Sequence, residues 1–175
     1  AYNFDKLEVR DGFLYVCANH AGLYKYELGA TPGSLSLVSQ YEPATLNESV
    51  YDIAFYGDTI VVAAKHKVNL LMDGPGGFTF LSTYASYAGT QRVHGVDIKG
   101  DMLAYTVGFS PLNGQDGVHL VDLTTMSVLD FYNDTASDPL EVFFGQNTDL
   151  LHVMGGQMPF TDRGRYYVLD ISTPT

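Results

Sequence analysis

Val50-Tyr51-Asp52-Ile53-Ala54-Phe55, a turn at Gly57-Asp58, Thr59-Ile60-Val61-Val62-Ala63-Ala64, Val68-Asn69-Leu70-Leu71-Met72-Asp73-Gly74 and Phe78-Thr79-Phe80-Leu81-Ser82-Thr83-Tyr84 form one unit of this 175-residue chain. The order recurs downstream as Val93 to Ile98, the turn Gly100-Asp101, Met102 to Val107, Gly117 to Leu123 and Ser127 to Tyr132. An earlier copy runs Leu7 to Val9, Asp11-Gly12, Phe13 to Ala18, Gly22 to Leu28 and Leu35 to Tyr41. A last copy runs Glu141 to Phe144, a turn at Gln146 to Asp149, Leu150 to Met154 and Tyr166 to Ile171. The turns at Asp11, Gly57 and Gly100 lie 46 and 43 residues apart.

Each unit holds four short runs rich in Val, Ile, Leu, Tyr and Phe, separated by Gly, Asp, Asn and Pro, with no 3.6-residue periodicity. The chain therefore reads as all-β. Four strands in a tandem unit of this size match a β-propeller blade, whose sheet cannot cover its own faces and packs on its neighbours. A β-sandwich is the alternative, but it gives no reason for the repeated order. The blades fall at about 1–46, 47–89, 90–137 and 138–175, within a single propeller segment whose last blade lacks its outer strand. Either the chain is a partial propeller or it is a small four-bladed ring, with Ala1-Tyr2-Asn3-Phe4 filling the missing edge. The partial form is the expectation. Its end faces, predicted to carry Tyr15, Val38, Val142 and Leu169, then need further blades from the same or another chain.

Composition limits the partners. Nine Lys+Arg against 20 Asp+Glu give a formal charge of −11, which repels nucleic acid and anionic lipid. With 46% hydrophobic residues the chain can bury a core, yet no apolar run approaches the ~18 residues of a membrane span. Cys17 is the lone cysteine, in the run Phe13 to Ala18, and reads as a buried small hydrophobe. The sequence starts at Ala1 without Met, which suits a mature secreted chain or a fragment. Sequons at Asn47 and Asn133 are compatible with surface glycosylation.

The runs Gly117-Val118-His119-Leu120-Val121-Asp122-Leu123 and Tyr167-Val168-Leu169-Asp170-Ile171-Ser172-Thr173-Pro174, each preceded by a strand such as Leu103 to Val107, resemble the LVIVD repeat family. All four units share the likeness, which is weakest at Asn69 to Asp73. The resemblance implies a propeller of bacterial or archaeal surface and secreted proteins, placed outside the cell, in the periplasm or on the cell surface. It carries over no catalytic residue.

With the first strand of each unit innermost, second-to-third connections and inter-blade connections open on one face. There the third unit expands to Gly108 to Asp116 and the fourth to Gly155 to Gly164. Long connections on a rigid repeat are where binding sits. Phe109, Asn113, Gln115, Asp116, Gln157, Phe160, Asp162 and Arg163 thus form a candidate rim for a protein or glycan. His20 and His66 hold matching places, and His94 starts an innermost strand. With Asp52 and Arg92 they are the candidate groups of an enzyme site at the channel mouth, since imidazole serves as base or metal ligand near neutral pH. No metal-binding spacing or nucleophile motif accompanies them. Asn113, Asp116, Asp134 and Asp138 are oxygen-rich candidates for Ca²⁺, without the spacing of a Ca²⁺ loop; no other cofactor is indicated. Asp73, Asp122 and Asp170 end their third strands and are expected to accept turn N–H groups. The resulting reading is a noncatalytic binding and assembly module, with a hydrolase or oxidoreductase as the alternative.

Overall fold

The computed structural model of the chain describes residues 4–31, 33–42, 48–108, 116–133, 138–157 and 161–172. Four antiparallel sheets follow one another along the sequence. The first blade comprises β1 (Lys6–Arg10), β2 (Phe13–Cys17), β3 (Leu23–Leu28) and β4 (Leu35–Tyr41). The second comprises β5 (Val50–Tyr56), β6 (Thr59–Ala64), β7 (Lys67–Gly74) and β8 (Gly77–Ser86). The third comprises β9 (Arg92–Lys99), β10 (Met102–Gly108), β11 (Gly117–Asp122) and β12 (Ser127–Asn133). The fourth has three described strands, β13 (Asp138–Phe144), β14 (Leu150–Gln157) and β15 (Thr161–Asp170). Every sheet keeps sequence order, the topology of a propeller blade. No helix among the described residues is long and apolar enough to cross a membrane.

One backbone hydrogen bond recurs in all four blades and gives a common frame. Leu28 N donates to Gly12 O, Asp73 N to Asp58 O, Leu123 N to Asp101 O and Ile171 N to Asp149 O, at 2.8–2.9 Å. In that frame the second strand of each blade alternates strictly. Ile60, Val62 and Ala64 pack back on Tyr15, Cys17 and Leu23 of the first blade. Val61 and Ala63 pack forward on Leu103, Tyr105 and Val107 of the third. Ala104 then packs forward, beside Val118 and Leu120, on Leu151 and Val153 of the fourth. Full burial of each Val, Leu or Ile among them contributes about 1.5–3 kcal/mol.

β1, β5, β9 and β13 are innermost. At the third junction β9 and β13 approach so closely that a Cβ on Gly95 would lie 2.8 Å from the Leu140 carbonyl oxygen. Gly95 N instead donates to Thr106 Oγ1, which is fully buried and donates to Leu140 O at 3.3 Å.

Three core clusters fill three junctions. Among the described residues no buried cluster joins the first blade to the fourth. Which residues are bare differs from the sequence expectation. Tyr15 and Val142 are only 3% and 4% exposed, and Leu169 packs against the third blade, because all three have the parity that faces a neighbour. The bare residues have the opposite parity: Leu7, Val9, Leu35 and Leu37 on the first blade, and Phe143, Met154, Tyr166 and Val168 on the fourth. Val38 is exposed, as expected. Asp5 N donates to Cys17 O, so residue 5 prolongs the pairing of β1 with β2. Residues 1–3, called on to fill the fourth blade's edge, lie outside the described residues.

Replacing Gly95 by Val is expected to cost about 2 kcal/mol by forcing β9 from β13. A thermal melt should show this as a drop of roughly 4–8 °C.

Candidate functional site

The innermost strands surround a cavity of about 570 Å³ lined by groups from all four blades, among them Lys6, Tyr51, Asp52, His94 and Glu141. Asp52 is the organising group. Its Oδ1 accepts from Lys6 Nζ at 2.7 Å and Ile53 N at 2.8 Å, and its Oδ2 accepts from Val96 N at 3.1 Å. One carboxylate thus ties three successive blades. Burial raises its pKa, opposed by the charge and hydrogen bond of Lys6. For Lys6, burial lowers the pKa, but attraction to Asp52 outweighs it and the net shift is upward.

The arrangement recurs one blade on. Asp97 accepts from Ile98 N at 2.8 Å and from Phe144 N at 2.7 Å, joining the third blade to the fourth. Sequence reasoning passed over Asp97, although an Asp-Ile pair on two innermost strands, Asp52-Ile53 and Asp97-Ile98, was a readable signal.

His94 faces the cavity and stacks on Tyr51 with ring centroids 5.0 Å apart. Burial, and secondarily the Arg92 guanidinium, depress its pKa to about 4, so the imidazole is neutral at pH 7. Its Nε2 is buried without a hydrogen-bond partner. Tyr51, Lys6 and Glu141 belong to this site and were not foreseen, because nothing in the repeat marks which first-strand parity faces the axis.

His20 and His66 keep the equivalence read from the repeat, but both hold blades together. His20 Nδ1 shares a hydrogen bond with Ser49 Oγ at 2.8 Å, beside the bond from Val50 N to Asn19 O. His66 Nδ1 donates to Gln91 O at 2.6 Å, beside the bond from Val93 N to Lys65 O. The three histidines therefore do not converge, and no group of three or more His, Cys, Asp or Glu among the described residues could hold a metal ion.

The acidic residues ending the third strands divide. Asp122 accepts from Thr124 N, Thr124 Oγ1 and Thr125 N, and Asp170 accepts from Ser172 N, as expected. These bonds hold both carboxyls below their usual range, led by the Thr124 hydroxyl at Asp122 and by Ser172 N at Asp170. Asp73 departs from this. The shared turn bond aligns it with Leu123, one place beyond Asp122, and a one-residue offset turns a strand side chain to the other face. There Asp73 accepts from Tyr15 Oη at 2.5 Å and Lys25 Nζ at 2.7 Å, in the junction between the first two blades. The Lys25 ammonium also lies 4.2 Å from the Phe13 ring centroid.

At the rim, Asp116 is 5% exposed and accepts from Gln91 Nε2 at 3.3 Å. The fourth unit's long connection is mostly paired strand, Gln157 opposing Thr161, and residues 158–160 lie outside the described residues. Phe109, Asn113, Gln115, Phe160, Asp134 and Asn47, and the side chains of Asp138, Gln157, Asp162 and Arg163, lie outside what is described. Asn133 is exposed at the end of β12.

Two outcomes follow. Removing the Asp73 carboxylate with Asp73→Ala leaves Lys25 buried and unpaired, and chemical denaturation should register a loss of about 3–5 kcal/mol; Asp122→Ala should shift the midpoint far less. His94 has a reference pKa of 6.5 and a folded value of about 4, so between those pH values only the unfolded imidazole takes up a proton. Stability should fall as pH drops from 6.5 towards 4, by up to about 1.4 kcal/mol per pH unit, and stay level with respect to this group above 6.5. Asp5, Asp52, Glu141, Lys6 and Arg92 titrate or carry charge nearby. The comparison is therefore with His94→Gln, whose melting temperature should decline less over that range.

No family model matches the chain, and no curated protein matches it. Solved structures do share its shape. The Dos1 propeller superposes with a TM-score of 0.71 at 15% identity, over 99% of this chain and 45% of that one. The computationally designed Ika4 protein gives 0.60 at 14% identity over 96% and 91%, and the computationally designed Ika8 protein gives 0.59 at 15% over 98% and 47%. The chain is thus a four-bladed β-propeller unit that spans most of one solved structure and about half of two others.

Proposed function

We propose that the chain is a noncatalytic binding and assembly module of an extracytoplasmic surface or secreted protein, offering its rim to a protein or glycan. The observation that carries this is the use made of the chemically capable side chains. His20, His66, Asp52 and Asp73 hold one blade to the next, while the long connection after β10 and the lengthened β14–β15 hairpin occupy equivalent places in adjacent blades. Rigid blades with elaborated connections at one end suit recognition. The likeness of Gly117–Leu123 and Tyr167–Pro174 to LVIVD repeats supports the extracytoplasmic setting.

A second reading is a hydrolase or oxidoreductase at the channel mouth. It is favoured by His94 and Asp52 sharing one cavity, with the imidazole neutral and its Nε2 unpartnered.

A glycan array separates them. Binding should survive His94→Gln and Asp52→Asn, and should weaken at least tenfold when residues 109–115 are replaced by a Gly/Ser segment of equal length. Binding that ignores the replacement but is lost in the cavity variants would overturn the rim reading. Turnover of a chromogenic substrate panel that His94→Gln abolishes would establish the enzyme instead.

A further inference from the structure

The three filled junctions are all of one kind. A blade's second strand sends one parity back and the other forward, so each junction joins a forward face to a backward face. The uncovered face of the first blade is a backward face: its Leu14, Val16 and Ala18 are equivalent to Ile60, Val62 and Ala64, which meet a preceding blade; Val16 and Ala18 are only 6% and 2% exposed, and the bare side chains beside them are Leu7, Val9, Leu35 and Leu37. The bare face of the fourth is a forward face: His152 and Met154 are equivalent to Ala104 and Thr106, which meet a following one.

Both bare faces are built like an interface. On the fourth blade Phe143, His152 and Tyr166 stack with centroids 4.9 and 5.9 Å apart, and His152 Nδ1 bonds Tyr166 Oη at 2.5 Å. On the first blade Tyr24 and Tyr26 stack at 6.2 Å among Leu7, Val9, Leu35 and Leu37. The filled second junction has the same character, with Tyr84 and Tyr87 of β8 and its following turn against Tyr105 and His119. Rigid aromatic anchors of this kind are enriched at protein interfaces.

We propose that two copies of this chain close head to tail into one ring of eight blades, the fourth blade of each packing on the first blade of the other. This deepens the assembly half of the proposed function and rests on it, while the array experiment reads the rim separately. A head-to-tail contact makes a closed ring when its rotation divides the circle. The chain superposes over nearly its whole length on 45% of the Dos1 propeller and 47% of the designed Ika8 protein, as well as on 91% of the designed Ika4 protein, so an arc of this shape occurs both within chains about twice as long and in a chain of similar length. Three strands about 4.8 Å apart, each about six residues long, as in the fourth blade, present roughly 300 Å² per face. Two junctions then bury roughly 1,200 Å², the lower end of a standard stable interface.

Sedimentation equilibrium and native mass spectrometry of the chain at micromolar concentration test this. The expected species has twice the 19.2 kDa chain mass. Leu37→Glu and Met154→Glu alter side chains that are 56% and 38% exposed in a single copy, so each variant should keep its circular dichroism spectrum. Each should also raise the dissociation constant at least about tenfold. An equimolar mixture of the two should recover part of the dimer, because a mixed pair retains one unaltered junction. A folded monomer throughout the concentration range overturns the proposal, and so do species that keep growing with concentration. A dimer indifferent to Met154→Glu would mean that two first blades meet each other, which also overturns it.

Discussion

A β-sheet with no helix to cover it has two apolar faces to remove from water, and here the faces that meet at three junctions are closed by the next sheet in line. The second strand carries most of this, since its alternate residues serve two different cores: Ile60 and Val62 belong to one junction, Val61 and Ala63 to the next. A blade taken alone would lose both cores together. Stability of this type is a sum of neighbour contacts rather than the property of one central core.

The junctions are not equal. Between the second and third blades, and between the third and fourth, packing is dominated by aliphatic and aromatic side chains, and at the latter junction the innermost strands are close enough to exclude a Cβ at Gly95. The first junction relies more on polar groups. Lys25 with Asp73 and Tyr15, Lys6 with Asp52, Lys67 with Glu48 and Phe78 N with Ser39 Oγ all connect neighbouring blades or their linking segment. Burial, followed by the hydrogen bond and charge of Asp73, pushes the Tyr15 hydroxyl well above its usual range, so it remains a donor at neutral pH. Buried ion pairs specify geometry more dependably than they add stability.

Much of the fold was legible because a propeller repeats its turns as well as its strands. Gly57-Asp58 and Gly100-Asp101 marked the same hairpin twice, and the matching of His20 with His66 survived into the structure as two equivalent clasps. Spacing failed where hydrogen-bond register alone decides. Asp73 looks like Asp122 by its place after an apolar run, but the blade-two turn at Lys65-His66 is one residue tighter than the blade-one connection, and the shared turn bond assigns Asp73 to the opposite face. The bare faces were misassigned for a related reason: both parities of Tyr15-Val16 and Val142-Phe143 are apolar, so hydrophobicity does not say which side has a neighbour. Of the candidate site, His94 and Asp52 were found and Asp97 was not, since a carboxylate accepting backbone N–H groups across a junction has no motif of its own.

The lone thiol gives the first junction a built-in clock. Cys17 is completely buried between the first two blades, and burial, reinforced by the nearby Asp52 charge, holds its pKa far above that of a free thiol. A thiol reagent reaches it only while the first blade is displaced, and the reactive anion is scarce until then. Labelling of a folded sample therefore times the opening of that single seam and leaves the other two junctions silent.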